Sequence, residues 1–213
     1  EDLPKKPDAQ DEGDPAQHRP KKPKSLKVLP KLGVNLTRRI AQGDLSLGMP
    51  RSPYREQLQL LLGAGRGQPV LVVGPPGSGK TTLIHQAIAD LLEADGYATH
   101  RNPDRVRSAW QLSGRRLIAG MSHLGDWEKR CVEVLEDTRA RSVLLVIDDL
   151  HHFGRIGRSR ESDRSLADFF RGPLARRELV IVGECTPEQL RALEEDAPSF
   201  ASLFVPLHLQ PAS

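Results

Sequence analysis

The octapeptide Gly74-Pro75-Pro76-Gly77-Ser78-Gly79-Lys80-Thr81 has the spacing G-x-x-x-x-G-K-[ST]. These residue types suit one chemistry, the holding of a triphosphate. Glycines let the backbone curl until successive N–H groups face inward, and a helix opening at Lys80 adds the positive end of its dipole. The lysine ammonium reaches the terminal phosphates, and the Thr81 hydroxyl is an oxygen ligand for Mg²⁺. Thr82, the next residue, belongs to the same cradle. Mg²⁺ needs more oxygen close by. The run Val143-Leu144-Leu145-Val146-Ile147-Asp148-Asp149 supplies it at the end of a buried strand. Asp148 is assigned to Mg²⁺ through water, and Asp149 either orients or deprotonates the attacking water or caps the segment directly after it. ATP and Mg²⁺ are the cofactors implied.

A cradle of this kind works only between a strand and a helix, and the flanking sequence predicts both. Apolar runs at 70–73, 106–110, 143–147, 179–182 and 204–207 read as buried strands, with amphipathic stretches at 80–92, 125–138, 163–174 and 187–195 as the crossover helices between them. Thr186, Pro187 and Gln189 have the order of an N-cap, first helical residue and capping-box partner. Two more helices are expected before the first strand, one after Asn35 ending at Gly43 and one from Ser52 and Pro53 to Leu62. The resulting fold class is α/β, a three-layer P-loop domain over residues 26–213 with a five-stranded parallel sheet.

Residues 1–25 form the exception. They hold five Pro, five Lys and six acidic residues with Leu3 as the one large aliphatic, too little to offset ordering entropy, and are read as a disordered charged arm. Lys21, Lys22 and Lys24 are either a solvated linker or a phosphate contact. The net charge of +3 comes from 31 basic and 28 acidic residues well mixed, which argues against nucleic acid as the main partner. The basic run 154–160 is likewise either a solvated loop or a contact surface. No apolar run is long enough for a membrane span, and Cys131 and Cys185 are too few for a disulfide framework, so a soluble cytoplasmic protein is expected. His151 and His152 are adjacent and, as residues at a strand end, are expected to point in opposite directions, so a shared metal ion is not expected.

With these motifs in place, the chain resembles the first ATPase module of the ClpA, ClpB and ClpC unfoldases, which are AAA+ proteins. The likeness runs from about Leu29 to Leu207. It is carried by Leu36-Thr37-Arg38-Arg39, Gly43 and Arg51, by the phosphate loop, and by Leu117-Ile118-Ala119-Gly120 with Gly125-Asp126-Trp127-Glu128-Lys129-Arg130. Asp148-Asp149-Leu150-His151 and Leu174-Ala175-Arg176-Arg177-Glu178-Leu179 complete it. The resemblance implies ATP hydrolysis, self-assembly or assembly with other AAA+ subunits, and a polypeptide substrate gripped near His123. It also implies an adenine contact at Met49, which is otherwise a plain core methionine.

The departures weaken the hydrolytic half. The family has Glu where this chain has Asp149, and a carboxylate withdrawn by about 1.5 Å, one carbon bond, costs on the order of a hundredfold in rate. Cys185 stands at the sensor position where the family has threonine. Ser202 and Leu203 stand where the family carries two arginines, one of them the finger that reaches a neighbour's nucleotide. The final strand lies so near Ser213 that the family's helical lid is expected to be absent. The sequence therefore predicts a Clp-like remodelling module that binds ATP–Mg²⁺ and hydrolyses weakly. The alternatives are a regulatory or scaffolding subunit and, further off, an AAA+ protein that handles DNA.

Overall fold

A computed structural model describes residues 25–63, 67–121, 125–141, 143–160 and 162–211. The charged arm at 1–24 and the proposed gripping residue His123, with Ser122 and Leu124, lie outside the described residues. In chain order, α1 (Leu29–Leu32), β1 (Val34–Asn35), α2 (Leu36–Ala41) and α3 (Tyr54–Gly63) precede β2 (Val70–Val73). Next come α4 (Lys80–Ala94), α5 (Tyr97–His100), β3 (Ala109–Leu112), α6 (Gly114–Ile118), α7 (Asp126–Arg141) and β4 (Leu144–Ile147). The chain continues through α8 (Leu166–Ala175), β5 (Val180–Cys185), α9 (Pro187–Asp196), α10 (Pro198–Ala201) and β6 (Val205–His208).

Among the described residues the sheet has six strands in the order β1-β3-β4-β5-β2-β6, not the five expected. The five predicted strands are all present and mutually parallel, and the addition is β1, antiparallel to β3 through Val34 opposite Gln111 and Asn35 opposite Trp110. Two residues are too short to leave a period-two pattern, so only pairing with β3 makes this edge a strand. Asn35 then caps α2, its side-chain oxygen accepting from Arg38 N at 2.9 Å.

Alternation along the strands assigns the two faces. Leu71 and Val73, Trp110 and Leu112, Leu145 and Ile147, and Ile181 and Cys185 pack with α1 and α6–α10 on one side. Val70 and Val72, Ala109, Leu144 and Val146, Val182 and Leu207 pack with α2, α3 and α4 on the other. Both faces are covered, which is why the central strands read as unbroken apolar runs. The order of layers is therefore helix, sheet, helix.

Where boundaries moved, a specific bond moved them. The third strand starts at Ala109 instead of 106, because Arg107 N donates to Asp95 Oδ2 at 2.8 Å and is lost to the ladder. α8 starts at Leu166 instead of 163, because Ser165 forms a capping box with Asp168. β5 runs three residues past its predicted end, through Gly183 and Glu184 to Cys185, because β2 pairs with it along that whole length. Pairing with β2, and for Gly183 also with β4, outweighs the poor strand propensity of both residues.

Gly183 is also a packing requirement. A Cβ there would lie 2.5 Å from Leu150 Cδ2 and 3.0 Å from Leu71 Cδ1. Gly183→Ala is expected to cost about 1–3 kcal/mol by overpacking. A urea unfolding curve should show the lowered midpoint with its slope unchanged, and an unmoved midpoint would mean that Leu150 yields freely.

Candidate functional site

The loop between β2 and α4 takes the expected curled form. Gly77 and Gly79 have φ of 75° and 81°, the left-handed region where a side chain is strained. Gly74 N donates to Cys185 O at 3.1 Å, which seats the loop on β5. A side chain at Gly74 would bring a Cβ 2.7 Å from Ser78 Oγ, so the loop closes on itself only with glycine there. The first intrahelical bond of α4 runs from Leu83 N to Gly79 O, so the N–H groups of Lys80, Thr81 and Thr82 face out of the helix N-terminus. The Lys80 ammonium donates to Gly74 O and Pro75 O, both at 2.9 Å, and an ammonium has a third proton to offer. Ser78 is buried, and its hydroxyl has no hydrogen-bond partner among the described residues.

The segment before α3 clamps this loop. Arg51 donates to Ser78 O and, at 2.8 Å, to Gln210 O, and its guanidinium lies 5.4 Å from the centre of the Tyr54 ring. Gly48, at φ 60°, lies so close to Thr82 that a Cβ would come within 2.5 Å of its methyl. Met49, the next residue, is 84% exposed. It is therefore not a core methionine, and it stands beside the phosphate cradle.

The acidic residues divide by face. Asp148 continues the alternation of Val146 towards the α4 side, where Gln111 Nε2 donates to both its oxygens at 2.9 Å. Its side chain reaches the surface, yet the surrounding protein displaces enough water to raise its pKa, with the Gln111 bond opposing and Asp149 adding to the rise. Asp149 goes the other way. Its carboxylate accepts from Ser113 Oγ at 2.8 Å, Gly114 N at 2.6 Å and Arg115 N at 3.3 Å, so it caps the preceding helix α6 and not the segment after it.

Two residues at the site were missed by sequence reasoning, Gln111 and Glu184. Glu184 lies two residues beyond Val182 and so shares the α4 face, where both of its oxygens accept from Thr81 Oγ1, at 2.9 and 2.8 Å. Its pKa is raised mainly by burial; the Thr81 bond and Lys80 pull it down, and Asp148 pushes it up. The signal was available, since Glu184 is a lone acid at even spacing in an apolar strand. Cys185 points to the opposite face, and burial pushes its thiol up to about 12, so it remains a neutral thiol. Thr186 forms the expected capping box with Gln189.

The oxygens of Thr81 and Asp148, both hard donors, fit Mg²⁺, with Glu184 holding the Thr81 hydroxyl from behind, and the outward N–H groups with Lys80 fit phosphate. Arg130, in the motif that opens α7, donates to the carbonyls of Leu117 and Ala119 at 3.1 and 3.0 Å and so fastens the end of α6. At the matched arginine positions Ser202 is exposed and Leu203 half-buried, while Arg176 is tied to Glu178. A cavity of about 560 Å³ lined by Leu62, Arg107, Arg139, Leu144, Arg177 and Val180 lies at the opposite ends of the strands. In parallel sheets ligands collect at the carboxyl ends, where the phosphate loop is.

The chain is similar to known proteins. Residues 70–190 match the family described as "ATPase family associated with various cellular activities (AAA)". The chain is 26% identical over 181 residues to the ATP-dependent Clp protease ATP-binding subunit ClpE of Lactococcus lactis, covering 84% of this chain and 23% of that protein. It is 31% identical over 174 residues to a ClpA homolog of Cyanidium caldarium, covering 80% and 20%. The fold superposes on a closed state of Hsp104 with ATPγS and FITC casein, at TM-score 0.72 and 24% identity, covering 88% of this chain and 31% of that one. An S. cerevisiae Hsp104–ADP complex gives 0.68 at 23% identity, covering 87% and 25%. The chain spans about a fifth to a quarter of the length of the Clp relatives it matches. The matched span 70–190 holds both the phosphate loop and the acidic strand end, and the curated relatives are Clp proteins: the chain belongs to the AAA family of ATPases.

Proposed function

We propose that residues 26–213 form the large subdomain of an ATP–Mg²⁺-binding AAA+ module in a Clp-like protein-remodelling machine, with weak hydrolysis. The observation that carries the nucleotide half is the meeting of Lys80 and Thr81, at the positive end of α4, with Asp148 and Glu184 on the neighbouring strands. Gly74, Pro75, Pro76, Gly77, Ser78 and Gly79 wrap the phosphates, Thr82 and Met49 border the base side, and Thr81 and Asp148 hold Mg²⁺. When bound, Mg²⁺ would neutralise charge on the phosphate oxygens. Asp149 is the residue to act on the attacking water, and it does so only when its three bonds to α6 are given up. That tether and the serine at 202 support slow turnover, since an arginine finger is worth roughly a thousandfold or more.

The Hsp104 structures carry ATPγS, ADP or casein, which supports nucleotide and polypeptide as the ligand classes here and assembly with AAA+ subunits as the working state. Among the described residues no helix is long and apolar enough to cross a membrane, and a cytoplasmic setting is part of the proposal. The regulatory-subunit reading is favoured by the same tether on Asp149, because binding without turnover is what a nucleotide-dependent switch needs. Calorimetry with ATP and Mg²⁺ should give one saturable site per chain, with phosphate release slower than about 1 s⁻¹, the low end for enzymes. No binding would overturn the proposal. Fast turnover by the isolated chain would overturn the weak-hydrolysis part.

A further inference from the structure

The contact between Thr81 and Glu184 joins two elements that sequence spacing keeps 103 residues apart. A threonine hydroxyl has one proton and two lone pairs. Here that proton is committed to Glu184, whose two oxygens sit at 2.9 and 2.8 Å from Oγ1. A hydroxyl held this way cannot spend its proton on a phosphate, and its lone pairs turn away from the carboxylate. The next strand places Asp148 on the same face, held at both oxygens by Gln111. The loop's own cation, Lys80, thus acts on Glu184, and Asp148 adds a second negative charge on the same face, a balance that disfavours a bare triphosphate and favours one accompanied by a divalent cation.

We infer that Glu184 is a positioning residue that fixes the Thr81 hydroxyl as a metal ligand and makes nucleotide binding strictly dependent on a divalent cation. This rests on the nucleotide site proposed above. Glu184 touches neither nucleotide nor metal; it acts through Thr81, as carboxylates behind metal ligands commonly do, where their loss costs about ten- to a hundredfold in metal affinity. It lies on β5, not on the acidic strand end from which the metal ligand of such sites is expected, so the two acidic functions are divided between neighbouring strands.

The test is a Mg²⁺ titration of fluorescent ATP-analogue binding, with Mn²⁺ paramagnetic resonance as a second readout. In the unaltered chain, binding should rise steeply with Mg²⁺. Glu184→Ala should raise the Mg²⁺ midpoint about tenfold and leave metal-free nucleotide binding equal or tighter, because a negative charge has gone. Glu184→Gln keeps an acceptor for the hydroxyl and should recover most of the midpoint while keeping the tighter metal-free binding. The double variant Thr81→Ala with Glu184→Ala should be no worse than Thr81→Ala alone, because the second residue acts through the first. An unchanged midpoint in both Glu184 variants, or losses that add in the double variant, overturns the inference while the nucleotide site stands. Absence of nucleotide binding by the unaltered chain at every Mg²⁺ level overturns both.

Discussion

Lys80→Ala is expected to weaken ATP binding by about a hundredfold or more, the cost of roughly 3 kcal/mol for removing one partner of a close charged contact. The reason lies in what stays behind. With the ammonium gone, the carbonyls of Gly74 and Pro75 lose their donor, and the carboxylates of Glu184 and Asp148 face the cradle without the loop's own cation. A triphosphate would then meet exposed carbonyl oxygens and negative charge where it now meets a proton donor. Helix α4 should persist, because Leu83, Ile84, Ala87 and Ile88 anchor it on the sheet. Calorimetric titration separates the two effects when a thermal melt is recorded beside it. An affinity within threefold of the unaltered chain, in protein that is folded, would remove the phosphate loop from the nucleotide site.

The second large effect concerns stability. Asp137→Ala should cost about 3–5 kcal/mol and lower Tm by about 10 °C. Asp137 is only 3% exposed, and its carboxylate accepts from three backbone N–H groups, those of Lys27, Val28 and Leu29, at 2.8–3.0 Å. Val28 is the N-cap of α1 and has no side-chain oxygen to offer, so a residue on α7 supplies the cap from 108 positions away. Alanine would leave those donors unpaired beside Leu29, which is fully buried. Asp137→Asn retains one acceptor oxygen and should lose about half as much. Scanning calorimetry of both variants tests this, and a loss under about 1 kcal/mol for alanine would mean that water replaces the carboxylate at little cost.

Much of this was legible in the chain. The phosphate loop could be read because its function needs glycines and a lysine at fixed local spacing, and neither depends on distant contacts. The five parallel strands could be read because burial on both faces writes each as an apolar run. β1 could not, since two residues have no period and only Gln111 and Trp110 opposite them create the strand. The sequence assigns Asp148 to Mg²⁺, and the fold adds Gln111 as the donor to both its oxygens. The sequence allows Asp149 to be a water-activating group or a cap on the segment after it, and the fold turns it towards Ser113, Gly114 and Arg115 at the start of the preceding helix. Glu184 is hidden in the sequence because the apolar run ends at Val182, whereas pairing with β2 extends the strand to Cys185.

The sequence by itself determined which ligand class the chain can hold, because the curl, the dipole and the ammonium all belong to one unbroken stretch from Gly74 to Thr82. Which carboxylates face that stretch was decided by the tertiary structure alone. Side chains alternate along a strand, so neighbouring acids such as Asp148 and Asp149 part to opposite faces, while Asp148 and Glu184, 36 positions apart, come together only when β4 and β5 lie side by side.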